Sequence, residues 1–174
     1  MLPIVLIGGM GSGKSKVGPM LGNLLNLPTY DLDGEIEARE SRDIPTIFSE
    51  SGEAYFREQE FAAFQSLLLE PPGIIITGGG APMHAQFWDE RNRFVAIFID
   101  PDLAVLWGRL EQKMESRPLL KNAENPKEVL FQLMELRRPT YLKADIVYPI
   151  SNPDLTGEEN AQNIASLVQQ FFKK

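Results

Sequence analysis

The sequence predicts an α/β fold in which one parallel β-sheet is covered by helices on both faces. Apolar runs of strand length alternate along the chain with segments of helical periodicity, as in parallel α/β proteins. Two runs, Ile74 to Thr77 and Phe94 to Ile99, are apolar at consecutive rather than alternate positions. Continuous apolarity is typical of strands buried on both faces, so helices are expected on both sides of the sheet.

We predict five strands and a set of helices that pack on them. The predicted strands run from Ile4 to Ile7, from Pro28 to Leu32, from Ile74 to Thr77, from Phe94 to Ile99 and from Ile146 to Ile150. Apolar residues at helical spacing form four predicted core-facing stripes: Val17, Leu21 and Leu24; Leu103, Leu106, Trp107, Leu110 and Met114; Val129, Leu133 and Leu136; and Ala161, Ile164, Val168 and Phe171.

Composition and charge narrow the classes of function. The chain has 174 residues, of which 43% are hydrophobic, and we expect one domain over residues 1–174. The net charge of −7 and the pI of about 4.8 argue against nonspecific binding to nucleic acid. The lack of cysteine excludes disulfides and thiolate metal sites, and a single histidine argues against a zinc cluster. With no basic leader and no long apolar segment, we expect a cytoplasmic protein that does not enter a membrane.

The most specific motif follows the first predicted strand. Residues Gly8 to Ser15 read GGMGSGKS and match the pattern G-x-x-x-x-G-K-[ST] of a phosphate-binding loop. The glycines let backbone N–H groups surround a phosphate, Lys14 adds a positive charge, and the Ser15 hydroxyl can ligate Mg²⁺. A merely flexible connection is the alternative, but a strand before the motif and a helix after it favour phosphate binding.

Two acids follow the second predicted strand. Side chains alternate between the two faces along a strand. Asp31 and Asp33 are two residues apart, so we expect both carboxylates on the same side, at the carboxyl edge of the sheet. One can then face a metal ion and the other a substrate. Alternatively, Asp33 caps a helix that begins at Gly34, whereas Asp31 has no evident capping role.

Three consecutive glycines and four arginines complete the candidate site. The triplet from Gly78 to Gly80 indicates close approach of the backbone to a ligand, with a tight turn as the alternative. Arg57 stands near Glu53 and Glu60, so a helical ion pair is its alternative role. Arg137 and Arg138 end a predicted helix, where cations also favour the helix dipole. Together with Arg117, these forked donors suggest an anionic acceptor in addition to ATP.

Two segments do not fit a simple alternation of strands and helices. Residues 33–70 are predicted to form a helical, substrate-binding insertion broken by Pro45 and Gly52. Residues 115–126 are polar, carry Arg117, and are predicted to form a lid over the bound substrates. An ordinary solvated crossover loop is the alternative for this second segment.

Five separated motifs carry a family resemblance. They are Gly8 to Ser15; Tyr30 to Asp33 with Glu35, Ile36 and Glu37; Ile47, Phe48, Gly52, Glu53, Phe56, Arg57 and Glu60; Thr77 to Gly80; and Arg117 to Leu120 with Arg137 and Tyr141. With these motifs in this order, the chain resembles bacterial shikimate kinases over essentially its whole length. The resemblance implies a three-layer α/β/α P-loop kinase fold, a parallel sheet in the order 2-3-1-4-5, and a monomer.

The resemblance also implies an activity, which is ATP-dependent phosphorylation of the 3-hydroxyl of shikimate on the route to chorismate and the aromatic amino acids. Mg²⁺ would be required, ATP would be the co-substrate, and Lys14, Asp33 and Arg117 would act in catalysis. Nucleotide contacts would fall on Gly11, Ser12, Gly13, Lys14, Ser15, Lys16, Arg109 and Arg117, shikimate contacts on Asp33, Arg57, Gly78, Gly79, Gly80 and Arg137, and metal contacts on Ser15 and, through water, Asp31.

Two positions depart from the family pattern. Lys16 stands where threonine is usual, and the interval from Arg109 to Arg117 is one residue longer than usual. Three other functions compete with the one implied: a kinase for another anionic metabolite such as gluconate, a nucleoside monophosphate kinase, and a nucleotide-dependent switch without an acceptor. The sequence lacks the Asn-Lys-x-Asp signature for guanine, and this argues against the switch.

Overall fold

A parallel sheet runs through the centre of the molecule. The computed structural model of the chain describes residues 1–111 and 123–173. Within these ranges the strands pair in parallel as one five-stranded sheet in the order β2-β3-β1-β4-β5, which confirms the predicted order. The strands are β1 (Ile4–Ile7), β2 (Thr29–Asp31), β3 (Ile74–Ile76), β4 (Val95–Pro101) and β5 (Ile146–Ile150).

The helices connect the strands in the alternating way that the sequence predicts. They are α1 (Lys14–Leu25), α2 (Leu32–Glu40), α3 (Ile44–Leu67), α4 (Ala85–Asp89), α5 (Leu103–Glu111), α6 (Pro126–Tyr141) and α7 (Gly157–Phe171). Short 3₁₀ helices cover Ala81–Met83 and Arg91–Arg93. Among these helices none combines the length and apolarity needed to cross a bilayer. Met114, Arg117 and most of the predicted lid, residues 115–122, lie outside the described residues.

The sheet separates two apolar cores, one on each face. Along β1, Val5 and Ile7 join one core, and Ile4 and Leu6 join the other. Helices α2, α3, α5 and α6 pack on the first face, and α1 and α7 pack on the second. The residues of β1 and β4 are buried on both faces of the sheet, so the continuous apolarity from Val95 to Ile99 has the predicted cause.

The predicted insertion 33–70 consists of α2 and α3. The Asp43 carboxylate caps α3 by accepting a hydrogen bond from the backbone N–H of Thr46, and Pro45 lies in the first turn, where proline is tolerated. Inside α3, Gly52 has φ 82° and ψ 172°, a conformation that favours glycine and that kinks the helix. The break at Gly52 was therefore predicted correctly, whereas Pro45 begins a helix rather than breaking one.

Three predicted helical stripes are wrong at one or more positions. In α6 the buried residues are Leu130, Met134 and Tyr141, whereas Leu136 is 77% exposed. Both candidate faces of α6 are apolar in sequence, so periodicity alone could not choose the face that packs on the sheet. Leu24 and Phe171 are also exposed, because each lies in the last turn of its helix, at the margin of the core.

Candidate active site

The segment Gly8 to Ser15 forms a loop that joins β1 to the N-terminus of α1. Gly11 has φ 75° and Gly13 has φ 100°, which are left-handed conformations that favour glycine. Gly13 is also the N-cap of α1, so the loop lies at the positive pole of a helix dipole. Backbone N–H groups and this pole together make the loop a suitable site for phosphate.

The Lys14 ammonium group lies inside this loop. Its Nζ donates to the carbonyl oxygens of Gly8 at 2.6 Å and Gly9 at 3.1 Å, and to the Ser12 hydroxyl at 3.2 Å. The side chain is buried, with only 8% of the residue exposed. One positive charge is thus held at the centre of the loop.

The structure does not place Asp31 and Asp33 on one strand, as the sequence analysis expected. Asp31 is the N-cap of α2, and its Oδ1 accepts a hydrogen bond of 3.2 Å from the backbone N–H of Asp33. Asp33 lies within the first turn of α2, so the alternation of a strand does not relate the two carboxylates, and the expected roles in capping are reversed. The chain turns into the helix directly at Leu32 because the Asp31 side chain supplies the cap. Asp31 is exposed, whereas Asp33 faces a cavity.

The surroundings of Asp33 raise the pKa of its carboxyl from 3.8 to about 6. Burial is the largest cause, followed by the negative charges of Asp31 and Glu60, while the Lys14 ammonium acts in the opposite direction. A carboxylate with such a pKa is well matched to accepting a proton near neutral pH. The arrangement therefore supplies a base beside a phosphate-binding loop.

Arg57 projects from α3 toward Gly80. Its Nη1 donates to Glu60 at 2.8 Å and its Nη2 donates to Glu53 at 3.3 Å, so the ion pairs anticipated as an alternative do form. Glu60 is 3% exposed, and burial raises the pKa of its carboxyl despite the Arg57 hydrogen bond. Among the described residues, however, the buried Nε of Arg57 has no hydrogen-bond partner. The ion pairs thus leave one donor available to a ligand.

The glycine triplet makes room for three of the polar side chains at the site. A Cβ atom on Gly78 would lie 3.0 Å from the Asp33 carboxylate, and one on Gly80 would lie 2.6 Å from Nη1 of Arg57. At Gly79 the corresponding neighbour is Nη1 of Arg137, at 3.3 Å. The triplet has ordinary negative φ angles, so close approach explains these glycines better than a tight turn does. The groups approaching the backbone are side chains of the protein itself.

Tyr141, on α6, holds the glycine triplet in place through a hydrogen bond. Its hydroxyl donates to the carbonyl oxygen of Gly79 at 2.7 Å, and its ring stacks in a tilted geometry on Phe98 of β4. Arg137 lies one helical turn before Tyr141 and therefore on the same face of α6. This helix thus brings a guanidinium group to the glycine triplet.

The structure places Arg138 away from the groups around the glycine triplet. Arg138 pairs with Asp100 at 2.7 Å, so it is not brought to the candidate acceptor site. Arg109 extends from α5 to the phosphate-binding loop, where its Nη1 donates to the carbonyl oxygens of Ser12 at 3.2 Å and Gly11 at 3.4 Å. Burial lowers the pKa of this guanidinium. The exposed Lys16 lies against Gly157, the first residue of α7.

A cavity of about 650 Å³ connects the phosphate-binding loop, Asp33 and Arg109. Its volume is in the range of small-molecule sites. Asp33 and Gly78 to Gly79 line one end, the phosphate-binding loop lines the middle, and Arg109 with the loop after β5 lines the other end. Arg57 and Arg137 adjoin the first end through their contacts with the glycine triplet.

Sequence reasoning missed the residues that close the far end of the cavity. One of them lies in α5, and the others lie at the end of β5, in the loop after it or at the start of α7. No motif or charge pattern in the sequence marks them. Helical periodicity also gave no sign that Met134 packs against Gly9 in the phosphate-binding loop. The missed lining residues are Gly108, Ile150, Pro153, Leu155, Gly157 and Asn160.

Comparison with known proteins identifies the family. A family model described as "Shikimate kinase" matches residues 10–170. A shikimate kinase of Cereibacter sphaeroides is 38% identical over 173 residues, which are 96% of this chain and 80% of that protein.

Solved structures agree with the sequence comparison. A shikimate kinase of Acinetobacter baumannii in complex with shikimate has a TM-score of 0.88 and 31% identity, covering 100% of this chain and 96% of that one. The shikimate kinase of Aquifex aeolicus has a TM-score of 0.80 and 35% identity, with 98% of each chain covered. The sequence, the fold and these relatives lead to one conclusion: the chain belongs to the shikimate kinase family.

Proposed function

We propose that the chain transfers the γ-phosphoryl group of ATP to the 3-hydroxyl of shikimate, giving shikimate 3-phosphate and ADP. Membership in the shikimate kinase family makes the chain a kinase and makes ATP its co-substrate. The observation that carries the proposal is the single cavity that joins the phosphate-binding loop to Asp33 and the glycine triplet. The two reacting groups could therefore meet inside one site.

The nucleotide would lie along the length of the cavity. Residues Gly11 to Lys16 would hold its phosphates, with Lys14 nearest to the β- and γ-phosphates. Because Asp33 marks the end at which transfer occurs, the adenosine would lie at the opposite end, beside Arg109. Arg117 would add a charge to the transferring group, a role that follows from the family resemblance and concerns a residue outside the described ranges.

Mg²⁺ would be held by the Ser15 hydroxyl and, through water, by Asp31. The donor set fits this ion, since Ser15 lines the cavity as the last residue of the phosphate-binding loop and the exposed Asp31 carboxylate lies two residues from Asp33. Magnesium in kinases takes most of its ligands from phosphates and water and needs only one or two protein oxygens. When bound, the ion neutralises charge on the phosphates.

The acceptor would lie between α3, α6 and the glycine triplet. The Nε donor of Arg57 would add one charge-assisted hydrogen bond to the shikimate carboxylate, and the forked donors of Arg137 suit its planar shape. Gly78, Gly79 and Gly80 would allow the ring to lie close to the backbone. The shikimate hydroxyls would then face Asp33 across the cavity.

The reaction would need one proton transfer and one phosphoryl transfer. Asp33 would accept the proton of the 3-hydroxyl as the hydroxyl oxygen bonds to the γ-phosphorus. The bond from the γ-phosphorus to the oxygen that bridges to the β-phosphate would break, and ADP would leave with that oxygen. Lys14 and Arg117 would stabilise the negative charge on the transferring group.

We also propose that the chain works as a cytoplasmic monomer with a single domain over residues 1–174. The single domain is supported by the arrangement of the cores, since one sheet carries both of them within the described part of the chain. The monomer and the cytoplasmic location follow only from the family resemblance and from the sequence. The polar segment 115–126 would serve as the lid.

Release of ADP from ATP and Mg²⁺ tests the proposal. The assay is run without an acceptor and then with shikimate, gluconate or a nucleoside monophosphate. We expect ADP release to rise strongly only with shikimate. Equal rates with and without every acceptor would favour a nucleotide-dependent switch, and stimulation by gluconate or a nucleoside monophosphate alone would point to a different kinase.

A further inference from the structure

A buried amide holds the loop that closes one end of the cavity. Residues 151–156 follow β5 and contribute Pro153 and Leu155 to the cavity lining. Beneath them, the Asn160 side chain on α7 donates from Nδ2 to the carbonyl oxygens of Thr156 at 2.7 Å and Leu155 at 3.3 Å. Asn160 itself lines the cavity and is only 2% exposed.

Tyr148 fixes the orientation of this amide. The Tyr148 hydroxyl donates to Oδ1 of Asn160 at 2.9 Å and accepts a hydrogen bond of 3.1 Å from Nδ2 of Asn163. Rotating the Asn160 amide by half a turn would place its oxygen against two carbonyl oxygens, so only one orientation satisfies every group. Because the amide is buried, water cannot easily replace these bonds.

The bonds connect three parts of the fold: β5, α7 and the loop between them. Tyr148 belongs to β5 and is 7% exposed within the core beneath α1 and α7, so it provides a fixed reference point. The exposed residues Ser151 to Asp154 belong to no helix or strand. The Asn160 amide therefore transmits the position of the sheet to the backbone at Leu155.

We propose that Asn160 is a positioning residue for the adenosine part of the nucleotide, acting through the loop at residues 151–156. This inference rests on the proposed function, in which the adenosine occupies the end of the cavity opposite Asp33. Asn160 keeps Pro153 and Leu155 at the distance from Arg109 that accepts the nucleoside. The phosphate-binding loop does not depend on this amide, since its own hydrogen bonds lie within the loop or are made with α1 and α5.

The variant Asn160→Leu tests the inference, because it retains a similar volume but removes both donors and the acceptor. Calorimetry compares the binding of ADP with that of inorganic tripolyphosphate, which carries phosphates without a nucleoside. We expect the Kd for ADP to rise about tenfold, which is roughly the change in affinity that the loss of one buried hydrogen bond causes. The Kd for tripolyphosphate should stay within about twofold of the wild-type value.

Steady-state kinetics provides a second readout. We expect the KM for ATP to rise in Asn160→Leu while the KM for shikimate and kcat at saturating ATP remain close to wild type. A purely structural role would lower thermal stability without such a split. Val168→Ala is the matched control, since Val168 is 1% exposed on the same helix and does not contact the loop through a hydrogen bond. This control variant should lower Tm but leave the ratio of the Kd for ADP to the Kd for tripolyphosphate unchanged.

Tyr148→Phe supplies a milder variant and a coupling test. Removing the hydroxyl should weaken ADP binding in the same direction but less than Asn160→Leu does. Because both residues act through one amide, the double variant should bind ADP about as weakly as Asn160→Leu alone. If Asn160→Leu does not fold, Tyr148→Phe carries the ADP and tripolyphosphate comparison by itself.

Two results overturn the inference: unchanged ADP affinity in a folded variant, or an equal loss of ADP and tripolyphosphate affinity. Failure of the proposed function is recognised separately, because it appears in the wild-type chain as an absence of shikimate-dependent ADP release. Suppose that Asn160→Leu weakens the binding of ADP but not of tripolyphosphate, and that the wild-type chain does not phosphorylate shikimate. The role of Asn160 would then stand, and shikimate would be rejected as the acceptor.

Discussion

Asp33 combines a cost in stability with a proposed role in catalysis. Its pKa in the folded chain, about 6, lies above the ordinary value of 3.8, and burial is the main cause. Between these two pH values the folded state holds a proton that the unfolded state has released. The ionised carboxylate therefore destabilises the fold, fully above about pH 6, and this penalty disappears as the pH falls toward 4.

Asp33→Asn should consequently make the protein more stable and less active. Near pH 7.5 we expect Tm to rise by several degrees, since about 1 kcal/mol corresponds to roughly 2–4 °C in a domain of this size. The gain should shrink as the pH is lowered toward about 4.5. Loss of a general base should reduce kcat by about a hundredfold or more, while ADP affinity changes little.

Glu35→Gln is the control for this prediction. It is also a change from acid to amide in the first turn of α2, but Glu35 pairs with Arg39 at the surface and should show no gain in Tm. Thermal unfolding and turnover are measured on both variants. Near-normal turnover in Asp33→Asn would reject its catalytic role.

Arg57→Lys tests the acceptor site. Lysine cannot donate to Glu60, Glu53 and a substrate carboxylate in the geometry that the guanidinium provides. We expect the KM for shikimate to rise tenfold or more, since a charge-assisted hydrogen bond contributes about 1.5–3 kcal/mol. The KM for ATP should change by less than about twofold.

Arg39→Lys is a suitable comparison for Arg57→Lys, because Arg39 forms an exposed ion pair with Glu35. This variant should alter neither KM. An equal rise in both KM values for Arg57→Lys would show that Arg57 supports the fold of the whole site rather than the acceptor.

Single helices explain how distant residues reach the cavity. Helix α3 carries Arg57 and Glu60 in its second part, beyond the kink at Gly52. The kink sets the direction of this second part and so brings Arg57 against Gly80. Gly52 has open space around it, so its conformation rather than crowding requires glycine.

Gly52→Ala should therefore destabilise the protein through backbone strain alone. A non-glycine residue at φ 82° and ψ 172° costs about 1–3 kcal/mol, which corresponds to a fall in Tm of roughly 2–12 °C. Gly108→Ala is the matched control, because Gly108 also has open space but lies in the regular helix α5. Its Tm should rise slightly. If the two substitutions changed Tm by the same amount, backbone strain at position 52 would not be the cause of the destabilisation.

The strands and the phosphate-binding loop could be predicted from sequence, whereas the facing of some helices could not. Continuous apolarity identifies a buried strand such as β4, and a glycine pattern identifies the loop, because each signal is local. In α6 the choice between Leu136 and Met134 depends on which face meets Gly9, and this is a tertiary contact. The capping role of Asp31 was missed because the strand was expected to continue to Leu32.

At the scale of the whole molecule, the parallel sheet gathers the site at one edge. The phosphate-binding loop follows β1, Asp31 and Asp33 follow β2, the glycine triplet follows β3, and the loop at residues 151–156 follows β5. Carboxyl ends of parallel strands meet at the same edge, so this topology could place the motifs together before any contact was known. Contacts such as that of Asn160 with Leu155 depend on neutral residues without a motif, and sequence reasoning did not find them.

The charges of the molecule are distributed unevenly. The chain has a net charge of −7, yet Lys14, Arg57, Arg109 and Arg137 converge on or beside one cavity. A local group of cations can bind anions within a protein that is negative overall. In the proposed function, this arrangement is the basis for binding two anionic substrates face to face.

A crystal structure with both ADP and shikimate bound tests this central claim most directly. We expect the shikimate carboxylate within hydrogen-bonding distance of Arg57 and Arg137, a ring hydroxyl facing Asp33, and the ADP phosphates in the loop that holds Lys14. A structure in which Arg57 and Arg137 point away from every bound organic acid would contradict it.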